Sequence, residues 1–409
     1  MRMRFVLLAS LSVMTIHAIE PYGIPDPLVM ENGKPVREAA QWPARRAETL
    51  ALFESGVYGK SPALPSWEQC QAETLFDKEA FAGKGRLREV VIHFPPSGTP
   101  PLHLLIAYPK VGKPVPSFVG LNFMGNHAAI ADSQVRLSPA WIPSRGVGVV
   151  DNRATEAARG TDAASWPFAL AIERGYAMAT LYHGDIDPDR PDWKEGVHAA
   201  FFAAGQTEPG AGEWAGLAAW AWALRIAGSY LMAQPEFDPR RVCLMGHSRN
   251  GKTALWAGAQ DERFALVVSN QSGCGGAALS RAGRGEQLAD INTRFPHWFT
   301  SRFHAYNGKE AELPVDQHQL LALIAPRPVL VCSAEEDLWA DPQGEFEACV
   351  AASPVYRLLG TDGFGATAFP PLGELVRTTI GYHIRPGKHA VTAEDWKVFL
   401  DFADARLPK

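Results

Sequence analysis

The chain has 409 residues, 46% hydrophobic and 20% charged, with 37 Gly, 32 Pro and 12 Trp. That mix excludes disorder, collagen-like repeats and a coiled coil, and a chain this long buries about three quarters of its unfolded surface without a disulfide framework or a structural metal. Lys+Arg 39 against Asp+Glu 44 gives a net charge of -5, with nothing to suggest a nucleic-acid partner, whose backbone needs clustered base.

The chain opens with a short basic stretch, Met1 to Arg4, followed by an apolar run of 12 residues, Phe5 to Ile16, ending near His17 and Ala18. Such a run is too short to cross a ~30 Å hydrocarbon core. Residues 1–18 are therefore expected to be a secretory signal peptide cleaved after Ala18, giving a secreted or periplasmic protein with no membrane partner. A buried N-terminal helix is the alternative. The first cysteine is Cys70, so no lipid-anchoring Cys follows the run. Five cysteines are an odd set for an exported protein, and at least one thiol should stay free. Residues 19–409 are expected to form one catalytic domain, of which 19–84, rich in Pro and Trp with short helical patches, wraps the core.

Beyond that wrap, strand-like runs alternate with helical ones. The strands are expected at Glu89–Phe94, Leu102–Tyr108, Ser117–Asn122, Ala177–Tyr182, Val242–Gly246, Leu266–Asn270, Pro328–Ser333 and Tyr382–Arg385. Several are continuous apolar runs, as in strands covered on both faces. Glu213–Met232 is the strongest helical stretch, with Trp214, Leu217, Ala221, Leu224 and Gly228 on one face. The alternation predicts an α/β fold with a central, mostly parallel sheet flanked by helices. Functional residues should then sit just after strands, at their carboxyl ends.

The sharpest signal lies at one such end. The apolar run from Val242 leads into Gly246-His247-Ser248-Arg249-Asn250-Gly251-Lys252 and then an Ala-rich helix. This is the context of a nucleophile elbow, a tight strand-to-helix turn that holds a Ser hydroxyl above the sheet. The second Gly comes one residue later than in Gly-x-Ser-x-Gly. A structural Ser in a tight turn is the bland alternative. Ser248 as nucleophile needs a base, and the base an orienter. In α/β-hydrolases they follow in the order Ser, acid, His. His389, in the loop after the last predicted strand, is the expected base; His383, inside that strand, reads as buried structure. The acid should follow Pro328–Ser333, where Glu335, Glu336 and Asp337 stand in a row. Asp337 is preferred, with Glu336 as the alternative.

Taken together, Gly246–Lys252, Ser269–Ala277, Phe295–Phe299, Ala325–Pro328 and Asp337–Trp339 resemble the glucuronoyl esterases, carbohydrate esterase family 15, and most of all its bacterial branch. The resemblance covers about residues 85–405. It implies an α/β-hydrolase fold and a secreted serine esterase without cofactors. The implied substrate is the ester between a 4-O-methyl-glucuronic acid of glucuronoxylan and a lignin alcohol. It also implies Ser248 as nucleophile, His389 as base, Arg249 as a side chain holding the oxyanion, and Lys252, Glu286 and Trp339 as ligands of the uronic acid ring.

The residues themselves are compatible with those roles. Lys252 lies one turn after Ser248 on the same helical face and can donate to sugar hydroxyls; otherwise it is a surface lysine. Arg249 offers a planar, always charged guanidinium; otherwise it is a salt bridge stiffening the loop. Trp339 can stack on a sugar face, or pack in the core as most Trp do. One departure is Gln271, where many members carry a Glu: it cannot stabilise an imidazolium, so the acid's role should fall to Asp337, leaving Gln271 a hydrogen bond to the His loop. Asp185-Ile186-Asp187-Pro188-Asp189 resembles the start of a calcium loop, but Arg190 and Gly196 replace the required Gly and Glu, so a solvated loop is expected. The scattered His residues have no metal spacing, and no metal site is expected. A monomer is expected. The competing readings are an esterase for acetyl or other simple esters and a non-catalytic carbohydrate-binding relative.

Overall fold

A computed structural model describes residues 22–408. The expected signal peptide lies outside the described residues. Twelve strands are present among them: β1 (Gln71–Ala80), β2 (Gly85–His93), β3 (Leu102–Pro109), β4 (Val115–Asn122), β5 (Val149–Val150), β6 (Arg153–Ala154), β7 (Ala177–Tyr182), β8 (Phe237–His247), β9 (Leu266–Asn270), β10 (Val329–Ala334), β11 (Leu375–Arg377) and β12 (Ile380–Arg385). Ten form one sheet in the order β1-β2-β3-β7-β4-β8-β9-β10-β12-β11, and β5 and β6 make a separate ribbon. From β7 to β12 all neighbours in the sheet run parallel. β1, β2, β3 and β11 attach antiparallel at the two sides.

The parallel centre follows from the sequence. β7, β9 and β10 are buried along their whole length, because helices cover both faces and apolar side chains at odd and even positions each find a core. In β3, Leu104 and Ile106 enter one apolar cluster while Leu105 and Ala107 enter the other. Helices Gly216–Ala233, Arg249–Gln260 and Pro342–Leu358 cover the first face; Phe168–Glu173 and Ala393–Arg406 cover the second. Ala393–Arg406 starts where Thr392 and Asp395 cap each other's backbone N–H groups. This is the α/β-hydrolase architecture.

Three differences from the sequence expectation have physical causes. β1 lies within the segment expected to be a wrap with short helical patches. Its residues are mostly exposed, so Gln71–Ala80 carries the charge of a protected sheet edge and no apolar alternation. β11 is a three-residue edge strand, too short for a pattern. β8 starts at Phe237, not Val242, because Asp238, Pro239 and Arg240 interrupt the apolar run while the strand continues through them. All five cysteines are unpaired, and Cys243 and Cys332 are buried among apolar strand residues.

Candidate active site

β8 ends at His247, and helix Arg249–Gln260 starts two residues later. Ser248, between them, has φ 56 and ψ -128, a backbone conformation that costs a non-glycine residue ~1–3 kcal/mol and lifts its side chain out of the strand. The packing around it holds that turn. The Ser248 N–H donates to Asn270 O of β9 at 2.9 Å, and the Gly251 N–H donates back to Ser248 O at 2.8 Å. A Cβ on Gly246 would stand 1.9 Å from Asn250 O, so only glycine lets the helix start this close to the strand.

His389 follows β12, and its Nδ1 is 2.6 Å from Asp337 Oδ2. Asp337 is 7% exposed, while Glu335 and Glu336 point to solvent. Their backbones instead join the two loops: Glu335 N–H donates to Arg385 O at 2.9 Å and Glu336 N–H to Gly387 O at 3.0 Å. Gln271, itself at φ 51, clasps the next residue of the His loop. Its Nε2 donates to Ala390 O at 3.1 Å and its Oε1 accepts from Ala390 N at 3.0 Å. A neutral amide can do both at once; a carboxylate could only accept. Arg385 braces the same loop from below, donating to Lys388 O and Ala390 O and pairing with buried Asp395.

Ser248, Arg249 and His389 meet at a cavity of about 440 Å³ whose other walls include Phe123, Met124, Val147 and Trp166. His247, which the sequence reading passed over, packs its ring 4.3 Å from that of His389, tilted by 38°. Burial, reinforced by the neighbouring His389, pushes its pKa well below the usual range, so it presents a neutral wall. Lys252, Glu286 and Trp339 stand outside this cavity. Lys252 is 4% exposed, not a surface lysine, and its Nζ donates to Ser272 O. Burial lowers its pKa, against the opposing charge of Glu286. The Glu286 N–H donates to Trp339 O at 2.9 Å, which ties these two residues together. Trp339 is 48% exposed and has the Arg294 guanidinium 5.5 Å from its ring centre, so it is not a core tryptophan.

The loop after β7 corrects the sequence reading. Asp185-Ile186-Asp187-Pro188-Asp189 is not solvated: Asp187 is 2% exposed and the Asp189 side chain 4%. Asp189 accepts from Arg249 Nη1, from His297 Nε2 at 2.8 Å and from Trp298 Nε1 at 2.7 Å. Burial by itself would raise its pKa, but the bond from His297 and the charge of Arg249 hold it below the usual carboxylate range. The Arg249 guanidinium lies 4.6 Å from the Trp298 ring centre and 5.2 Å from that of Phe295. Its Nε is buried without a partner, a donor left open at a cost of ~1–3 kcal/mol. The alternative weighed for Arg249, a loop-stiffening salt bridge, is thus present as a contact, yet it occupies only part of the guanidinium. Asp189, His297 and Trp298 were missed as site residues; the available signal was that Asp189 follows a parallel strand at its carboxyl end.

Glu345 was also missed, because its place depends on a helix docking. It is fully buried and receives Ser333 Oγ at 2.5 Å and the Gly273 N–H at 3.0 Å. It thereby secures the turn whose Ser272 carbonyl takes the Lys252 ammonium. Among the described residues no group of three or more His, Cys, Asp or Glu is arranged to hold a metal, and no helix is long and apolar enough to cross a membrane.

Known proteins are similar to this chain in sequence and fold. Residues 168–360 match the family model described as glucuronyl esterase, fungi. A carbohydrate esterase from an unknown prokaryotic organism is 48% identical over 397 residues, covering 95% of this chain and 90% of that protein. A 4-O-methyl-glucuronoyl methylesterase of Schizophyllum commune is 27% identical over 85% of this chain and 76% of its own length. Among solved structures, a promiscuous esterase of carbohydrate esterase family 15 from a marine bacterial metagenome superposes with a TM-score of 0.88 at 48% identity, covering 94% of this chain and 96% of that one. A glucuronoyl esterase from Solibacter usitatus superposes with a TM-score of 0.87 at 44% identity, covering 93% and 97%.

Proposed function

This chain belongs to the glucuronoyl esterases of carbohydrate esterase family 15, and on that premise we propose that it hydrolyses esters of 4-O-methyl-glucuronic acid, as in lignin–carbohydrate linkages of glucuronoxylan, through an acyl-enzyme. The observation that carries the mechanism is the 2.6 Å bond from His389 Nδ1 to buried Asp337, beside an elbow serine. In this reading His389 Nε2 takes the Ser248 proton as Oγ attacks the ester carbonyl. Arg249 holds the oxyanion, and the alcohol departs with the proton from His389. Water, activated by the same imidazole, then frees the acid. Lys252, Glu286 and Trp339 take the uronic acid ring, and the leaving alcohol lies toward the cavity walled by Phe123 and Trp166. No cofactor enters.

The test compares benzyl glucuronate with p-nitrophenyl acetate. Ser248→Ala should lower turnover of both by roughly six orders of magnitude in a folded protein. Lys252→Ala should weaken the glucuronate ester by ~1.5–3 kcal/mol, the range for a hydrogen bond to a charged group, and leave the acetate nearly unchanged. Equal losses on both would end the sugar-pocket reading and leave an esterase of simple esters, the reading that the promiscuous marine relative makes worth testing. Export belongs to the same proposal and rests on the composition of residues 1–18. Sequencing the N-terminus of protein recovered outside the cytoplasm should start at Ile19; an intact Met1 there would refute cleavage.

A further inference from the structure

The three acids that follow β7 each hold a different part of the site's surroundings. Asp185 accepts from Ser138 Oγ at 2.5 Å, Asp187 pairs with His198 Nδ1 at 3.0 Å, and Asp189 takes Arg249, His297 and Trp298 together. Only the last reaches the residue next to Ser248. Arg249 is held through one terminal nitrogen by Asp189 and flanked by the rings of Trp298, Phe295 and Phe123. Its Nε–H is left buried and unpartnered. A guanidinium clamped in this way presents a fixed donor, with no reorganisation needed when charge develops on the ester oxygen.

We propose that Asp189 is a positioning residue for ester cleavage: it holds Arg249 in the pose from which the guanidinium meets the oxyanion, and through Trp298 it locks that pose to the aromatic wall beside Lys252. The Lys252 ammonium lies 6.0 Å from the Trp298 ring centre, so the wall that fixes Arg249 also borders Lys252. His297 and Arg249 outweigh the burial of Asp189 and favour its ionised form. The proposal rests on the oxyanion role of Arg249 and not on the identity of the acyl group.

A double-mutant cycle of Asp189→Asn and Arg249→Ala tests it on both p-nitrophenyl acetate and benzyl glucuronate, with melting temperatures measured alongside. Arg249→Ala should lower kcat about 100-fold or more. Asp189→Asn should lower kcat roughly 10- to 50-fold on both esters with KM within about twofold, the pattern of an interaction made in the transition state. In the Arg249→Ala background the same change should cost less than about twofold, because Asp189 then has nothing to position. Added guanidinium should restore part of the Arg249→Ala activity only while Asp189 is present. If Asp189→Asn does not fold, Asp189→Glu, which keeps the charge on a longer arm, is read by the same cycle. An undiminished loss in the Arg249→Ala background would overturn the proposal, as would a rise in kcat on Asp189→Asn, which would make the carboxylate a brake on Arg249. A silent Arg249→Ala would remove the oxyanion role and this inference with it. Failure on benzyl glucuronate alone would instead overturn the substrate reading and leave the cycle legible on the acetate.

Discussion

At the scale of single residues, the site turns on which of three adjacent carboxylates reaches His389. Glu335 and Glu336 donate their backbone N–H groups to the end of β12 and to the His loop while their side chains face solvent. Asp337 turns inward and meets Nδ1. If His389 is the base, that bond fixes its tautomer and steadies the imidazolium. Asp337→Asn should then reduce turnover on the order of 10⁴-fold at unchanged fold, whereas Glu336→Gln should stay near the parent. Steady-state kinetics of the two variants decide the matter; a crippled Glu336→Gln beside a nearly silent Asp337→Asn would reverse the assignment. Gln271 shows how a neutral residue serves at this place. It contributes no charge, and its amide instead pins Ala390 from both sides, holding His389 against the acid on β10's loop.

At the scale of elements, the elbow depends on β8 and the following helix coming into backbone contact. The obstacle to any larger residue at Gly246 is the Asn250 carbonyl, part of the helix's own first turn, and nothing flexible is there to give way. Gly246→Ala should therefore destabilise the fold by about 3 kcal/mol, at the upper end for overpacking, and reduce activity by displacing Ser248. Gly251→Ala, whose added Cβ would meet the Ser272 Cβ at 3.0 Å, should cost less. Thermal unfolding of both variants checks the order; equal melting temperatures would refute the close-packing account. The same scale shows which elements a sequence can disclose. β7 and β9 fall on the expected bounds, because strands buried on two faces read as near-continuous apolar runs. β1 and β11 do not, because an edge strand is held by backbone bonds that leave its side chains free to be polar.

At the scale of the whole molecule, the buried carboxyl of Glu345 joins helix Pro342–Leu358, β10 and the turn after β9. Burial pushes its pKa up to about 8, the bonds from Ser333 and Gly273 opposing and the charge of Asp337 adding. The folded protein thus keeps a proton that the unfolded chain releases in the ordinary carboxylate range, and this group's contribution to stability falls as pH rises from there to about 8. A glutamine holds no such proton; its amide oxygen can still accept from the Gly273 N–H or from Ser333 Oγ, as the carboxyl does. Glu345→Gln should therefore gain stability relative to the parent between about pH 5 and pH 8, on the order of a few kcal/mol. Urea unfolding of both proteins at the two pH values measures it, and a constant difference would refute the buried proton. Asp185 and buried Glu89, raised to about 6 and about 7 chiefly by desolvation, are common to both proteins and cancel.

Much of this molecule was legible before folding. The parallel strands and the strand–Gly-x-Ser–helix turn are written in local pattern, because burial on two faces and a tight turn each demand particular residues at particular spacings. What only the tertiary structure decided is which polar groups share a buried environment. Asp189 lies 60 residues from Arg249 and 108 from His297, and Glu345 is 72 from Gly273. No periodicity links such pairs. They meet because separate strands bring their carboxyl ends to one rim of the sheet, and a charge buried there is stable only where distant donors converge on it.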